Sequence, residues 1–328
     1  MPGLITHYLC GQGTLQILPK EIAKDIEQHR KLYNIGCQGP DIFFYYVPAA
    51  LKKSLRGIGS KMHKENVGDF MRAMAEGLMD LPPDKRAAAF AYFSGYLTHY
   101  ALDCATHPYV YYKSGFRRKG ERGSRLKFSA YHFRFESAID TLMLLMVAGK
   151  KPRDEKLWRL INVDKKETKE VADFIGRSIS TAYGINIFGK NVLNAMGHMA
   201  FVTRMMQSNK GLRKRVLAVG EHVFFRAAVA SSLIHLQEIA DGIDYLNEGK
   251  QAWKDPWDDA SVHLESFVEL LEVARDEGAQ LIEMLWEYME GRAPLADFLA
   301  KAGDRSFATG RPISEQLVFT VHDVVYRR

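Results

Sequence analysis

Apolar side chains recur at helical intervals along much of the chain, and the breaks between them fall on glycine and proline. Ile22, Ile26 and Leu32 share one side of an amphipathic stretch, which predicts a helix from about Pro19 to Asn34 after a short apolar approach. Gly36, Gly39 and Pro40 interrupt it, so Asp41 is expected in a turn just ahead of the apolar run IFFYYVP. Gly57 and Gly59 mark residues 51–60 as a loop leading to His63, after which Phe70, Met74 and Leu78 form the next helical face. Pro82 and Pro83 close that helix, and Asp84 caps a following one predicted from about Lys85 to Thr106. The aromatic and basic run after Pro108, VYYKSGFRRKGERGSRLKF, reads mainly as loop, and helical periodicity resumes in YHFRFESAIDTLMLLMVAG. Further helices are predicted at about 165–183, 190–208, 211–248 and 260–290, with a turn at Asp255–Trp257. The last stretch, QLVFTVHDVVYRR, suits a strand or a short helix equally. No internal repeat is present.

With 47% hydrophobic and 26% charged residues, the composition is that of a folded globular protein, and no apolar run reaches the roughly 18 residues of a spanning helix. The start, MPGLITHYLCGQG, lacks the features of a secretory signal, and Cys10, Cys37 and Cys104 show no CxxC spacing; the expected compartment is the cytoplasm. The net charge of +6 is concentrated: residues 113–127 hold seven cations against Glu121, 7 − 1 = +6, and the remainder sums to about zero.

Chemistry enters with YFSGYLTHYALDCATHP, where His99, Asp103 and His107 follow one another at intervals of four and so share a helix face. Their neighbours Tyr96, Leu97, Tyr100, Ala101 and Leu102 suit a buried helix, and buried charged groups require a partner such as a cation. His132 and Glu136 repeat the spacing further on. With His7, Asp41 and His63, the candidate donors number eight, all nitrogen or oxygen and all within the first 136 residues. One tetrahedral zinc needs four, so the set predicts a polynuclear site, and imidazole beside carboxylate suits zinc better than magnesium or calcium. His29 reads as solvated, His198, His222, His235 and His263 as isolated, and Cys104 as a packing residue rather than a ligand.

The ordered set resembles the zinc-dependent phospholipase C family, related in fold to the P1 and S1 nucleases. His7 near the start, Asp41 in GPDIFFY, His63, the HxxxD of His99 and Asp103, His107, and the HxxxE of His132 and Glu136 carry the resemblance. It implies an all-α, compact multi-helix domain of the phospholipase C and P1 nuclease type, holding two or three zinc ions. Residues 1–150 would form its metal-site half, 151–305 a packing half and 306–328 a C-terminal tail. By the same resemblance Asp41, His63, His99 and Asp103 hold one ion, His107, His132 and Glu136 a second, and Asp103 bridges to a third shared with His7. The chain departs from the secreted relatives in three respects. Their processed N-terminal tryptophan has no counterpart, although removal of Met1 would leave the amine of Pro2 within reach of the third ion. His107 follows Asp103 more closely than in those enzymes, and Ile42 and Ser60 stand where their choline-binding aromatics lie.

The expected activity is zinc-dependent phosphoric ester hydrolysis, phospholipase C-like, with Asp41 positioning or deprotonating the attacking water. A phospholipid headgroup or another phosphate ester is the expected substrate. Residues 113–127 are expected to make a peripheral contact with an anionic membrane surface. A single-strand nuclease or 3′-nucleotidase activity on the same metals, with nucleic acid as partner, is the alternative, and a non-catalytic, metal-stabilised helical protein is the third reading.

Overall fold

The fold was described from a computed structural model, which covers residues 3–46, 57–117, 125–206, 239 and 241–326. The chain starts with α1 (Leu4–Ile17), α2 (Lys20–Gln28) and α3 (Arg30–Gly36), followed by a 3-10 segment at Gly39–Phe44. After α4 (Ile58–Met62) and α5 (Val67–Met79) comes the longest element, α6 (Pro83–Ser114), and then α7 (Arg125–Ala148). The remainder holds α8 (Leu157–Leu160), α9 (Lys165–Tyr183), α10 (Gly189–Met206), α11 (Phe267–Met289) and α12 (Leu295–Ala302). Among the described residues there is no strand, only isolated bridges at Trp253–His263 and Arg305–Pro312. The protein is all-α. No helix is long and apolar enough to cross a membrane, among the same residues.

Everything is arranged about α6. Its side chains are buried on all sides from Ala89 onward, so it has little amphipathic character, and α1, α3, α7 and α11 pack round it. Two glycines let α3 and α6 touch backbone to backbone. A Cβ on Gly36 would lie 2.2 Å from the Tyr92 carbonyl oxygen, and one on Gly95 2.2 Å from that of Tyr33. This contact brings the start of the Gly39–Phe44 segment against the His99 ring. Gly39 adopts φ +49° there, and a Cβ on it would sit 2.4 Å from His99 Cδ2.

Several expectations change. The helix beginning at Pro19 is broken at His29 into α2 and α3, and of the loop expected at 51–60 residues 58–60 are helical while 51–56 lie outside the described residues, with His63 capping the C-terminal end of α4. α6 does not stop at Thr106. It runs through Pro108 to Ser114; the proline takes the helical donor from the Cys104 carbonyl, and Gly310 packs closely on that oxygen, where a Cβ would lie 2.5 Å away. α1 was invisible to periodicity since it buries residues on every side, and its N-terminus is capped from α7. Asp140 accepts from the Ile5 and Thr6 amides at 3.1 and 2.8 Å and from Thr6 Oγ1 at 2.6 Å. The last stretch is neither strand nor helix between 317 and 326. Most of the helix expected at 211–248 and the Pro2 amine lie outside the described residues.

The basic run is also redrawn. Lys113 and Tyr112 belong to the last turn of α6 and are buried, Lys113 at 5% exposure with its amine 5.8 Å from the Tyr112 ring. Burial pushes the Lys113 ammonium below its ordinary value, so it is not a surface cation. Arg117 and Lys127 are exposed, and residues 118–124 lie outside the described set.

Candidate metal centre

All eight candidate donors come together along α6. His99, Asp103 and His107 form a row on one face of that helix, with His7 arriving from α1, Asp41 from the 3-10 segment, His63 from the end of α4, and His132 and Glu136 from α7. Donor atoms of His7, Asp41 and His99 lie within 4.8 Å of one another, as do those of His63, His99 and Asp103, and those of His107, His132 and Glu136. The first two sets share His99 and make one larger group. Asp103 joins it to the smaller one, its Oδ1 3.4 Å from His7 Nε2 and 3.6 Å from His107 Nδ1, its Oδ2 3.2 Å from His99 Nε2 and 3.7 Å from His63 Nε2. Asp41 Oδ1 is 3.2 Å from His63 Nε2, and His132 Nε2 is 2.7 Å from Glu136 Oε1. The His7 and His99 rings stack at 3.9 Å.

Backbone carbonyls aim the imidazoles. His99 Nδ1 donates to Cys37 O at 3.1 Å, His63 Nδ1 to Gly59 O at 2.7 Å and His107 Nδ1 to Phe307 O at 2.9 Å. A carbonyl only accepts, so each Nδ1 carries a hydrogen and each Nε2 is turned toward the carboxylates, the nitrogen that a metal-holding histidine offers once it is deprotonated. Ser114 Oγ lies 3.4 Å from His132 Nδ1. Of these four partners only one leaves a trace in the sequence. Three act through backbone atoms common to every residue, and only the interval of four between Gly59 and His63 is a local signal.

The donor set suits a cation. Among the described residues, His7 Nε2, His99 Nε2, His107 Nε2, Asp41 Oδ1 and both Asp103 oxygens are buried with no hydrogen-bond partner. Each buried polar atom left so costs about 1–3 kcal/mol, and the atoms converge on one another instead of being scattered. Electrostatics is consistent with this. Burial opposes the ionised Asp103, yet His107 and His99 hold its carboxyl well below the usual range. Burial likewise opposes charge on His99 and His107, and Asp103 overrides it, so both imidazoles sit above their ordinary value. Burial prevails at His7 and His132, which are pushed down. Glu136 is lowered against its burial, mainly by His132.

Asp41, expected in a turn, lies in the 3-10 segment and is buried, and His63 is the most exposed donor, with 14% of its side chain open. Phe44, 46% exposed and 5.5 Å from the His63 ring, stands on that side. Tyr111 packs on His132 at 4.7 Å. Ile42 is fully buried and Ser60 exposed, and neither supplies an aromatic face. His263 is bonded into its own loop, stacked on Trp253 at 4.3 Å, and Cys104 is a buried packing residue.

A family model described as zinc dependent phospholipase C matches residues 6–185, more than half of the chain and all eight donors. No curated protein and no solved structure gives a match.

Proposed function

The chain belongs to the zinc-dependent phospholipase C family, and on that premise we propose that it hydrolyses phosphate esters, with a phospholipid as substrate and two or three zinc ions held by His7, Asp41, His63, His99, Asp103, His107, His132 and Glu136. The observation that carries the reading is the composition of the smaller group. Among the described residues, His107, His132 and Glu136 bring three donors to one point, and a zinc site with three protein ligands keeps a fourth position for water or substrate, whereas structural zinc is closed by four. That favours catalysis over a purely structural metal.

Zinc so held supplies Lewis-acid polarisation of a phosphoryl oxygen and lowers the pKa of water toward about 7. The chain's part is to present donors without reorganisation. Asp103 keeps His7, His63, His99 and His107 turned inward at 3.2–3.7 Å, and the carbonyls of Cys37, Gly59 and Phe307 hold the Nδ1 protons so that none can rotate. Asp41, beside the most open donor, orients the attacking water and accepts its proton. The half-open side marked by His63 and Phe44 is where the substrate enters.

The exposed cations Arg117 and Lys127, with those at 118–125, serve in this reading to hold the protein on an anionic surface, each contributing up to about 1 kcal/mol. Reversing Arg117, Arg118 and Arg122 to glutamate should weaken binding to anionic vesicles and spare hydrolysis of a small soluble ester.

The deciding experiment measures zinc per chain by elemental analysis, then turnover of a phospholipid, a soluble phosphodiester and single-stranded DNA side by side. Two or three zinc equivalents with phospholipid turnover are expected. Fewer than two equivalents would falsify the polynuclear assignment, and DNA cleavage without lipid turnover would move the substrate to nucleic acid.

A further inference from the structure

Phe307 lies far beyond the residues matched by the family model, in a segment with no metal-ligand pattern, yet it is fully buried against the donors. Its amide donates to the His63 carbonyl at 2.9 Å, and its own carbonyl accepts from His107 Nδ1 at 2.9 Å. One residue thus touches, through its two backbone polar groups, a member of the larger group and a member of the smaller. Its ring packs on His63 at 4.9 Å, on His99 at 5.8 Å and on Tyr100 at 5.0 Å.

The turn carrying Phe307 is locked in place. Asp304 accepts from the Gly68 amide at 2.8 Å, Arg305 reaches Tyr100 Oη at 3.0 Å and pairs with Glu277, and the Ser306 and Gly310 amides close the turn at 2.9 and 2.8 Å. Gly310, at φ +65°, rests on the Cys104 carbonyl that Pro108 leaves without a helical donor. The irregularity in α6 and the turn are therefore complementary: the proline opens a carbonyl one turn before His107, and the glycine that covers it sets Phe307 beside His107.

We propose that the 304–313 turn is a built-in part of the metal centre, with Phe307 as a positioning residue that selects the Nε2-facing tautomer of His107 and ties it to His63, so that the two donor groups are complete only when this turn is docked. The inference rests on the zinc reading above. Outer partners of metal-holding histidines are worth about 10–100-fold in metal affinity, and that is the loss expected when this one is displaced.

Linkage provides a test in the unaltered protein, because if docking of the turn strengthens metal binding, metal must strengthen docking. Hydrogen exchange of the Phe307 and Gly310 amides should slow at least about tenfold when zinc is added to the metal-free chain, a protection corresponding to about 1.4 kcal/mol. ¹⁵N shifts of His107 should report a protonated Nδ1. Gly310→Val, which needs both a left-handed backbone and a Cβ where the Cys104 carbonyl lies, should undock the turn and weaken zinc binding 10–100-fold, with helix content retained. Zinc-independent exchange at 304–310 overturns the proposal while leaving the zinc reading intact, and so does wild-type zinc affinity in a folded Gly310→Val chain whose turn has become protease-sensitive. If the unaltered protein binds no zinc, both fall together.

Discussion

The larger donor group draws one residue each from α1, the 3-10 segment and the end of α4, and two from α6, whereas the smaller group takes two of its three ligands from successive turns of α7 and the third from the end of α6. The larger group exists only because α3 and α6 approach closely enough to place Asp41 beside His99. The smaller depends on an i, i+4 pair that any helix would form, plus one carbonyl that aims His107. Local geometry therefore nearly suffices for one group, and long-range packing is required for the other. Asp103 belongs to both.

Asp103→Asn should have the largest effect and abolish the contrast. Its two oxygens face four imidazoles, so zinc affinity should fall more than about 100-fold at both groups, beyond the 10–100-fold typical of an outer partner. Elemental analysis after dialysis checks it; retention of a full complement by the variant would mean that the groups are not joined. Glu136→Gln should sharpen the contrast by removing one equivalent and sparing the rest. Gly95→Ala should act in the opposite sense. A methyl 2.2 Å from the Tyr33 carbonyl forces α3 away from α6, costing about 1–3 kcal/mol in chemical denaturation and weakening the larger group first.

Acidity distinguishes partners within each group more than one group from the other. In the metal-free chain His99 and His107 are raised, so their contribution to stability is present below the unfolded value near 6.5 and fades as pH rises through their folded values. His7 and His132 are lowered, so their neutral forms are favoured and stability is lost as pH falls below about 6.5. Each group then holds one imidazole that loses its proton more readily than a free one and one that holds it more tightly. Zinc affinity should rise with pH through and above 6.5 at both groups, with net release of protons on binding, measurable by titration calorimetry in buffers of different ionisation enthalpy. A pH-independent affinity above 6.5 would contradict this assignment. The smallest effect is expected at Ser266→Ala, which removes the capping box of α11 and should cost about 1 kcal/mol without changing zinc content.

How far these features were legible depends on how local their causes are. α5, α9 and α11 bury one face and expose the other, so the periodicity of Phe70, Met74 and Leu78, and the spans 165–183 and 260–290, anticipated helices that are present, with α11 opening at Phe267 where Ser266 and Glu269 cap it. α1 and the end of α6 have no polar face and gave no such signal. The reading of a loop after Pro108 followed from what proline does within a helix; α6 nevertheless continues to Ser114, with a segment about 200 residues away packed on the turn that the proline opens. The count of Lys113 among surface cations failed for the same reason, as burial is a property of the fold and charge is not.

The residue types and intervals by themselves pointed to His99, Asp103 and His107 and to His132 and Glu136, and the family resemblance joined His7, Asp41 and His63 to them as eight candidate donors, because an imidazole or carboxylate keeps its chemistry wherever it is placed and an i, i+4 interval on a helix fixes a shared face. Only the tertiary structure decided which donors meet, that Asp103 joins two groups, that His63 is the open member, and that Phe307 stands behind His107. Those outcomes rest on the Gly36–Gly95 contact, on a proline and a glycine brought together across the chain, and on carbonyl groups that every residue carries and only folding can direct.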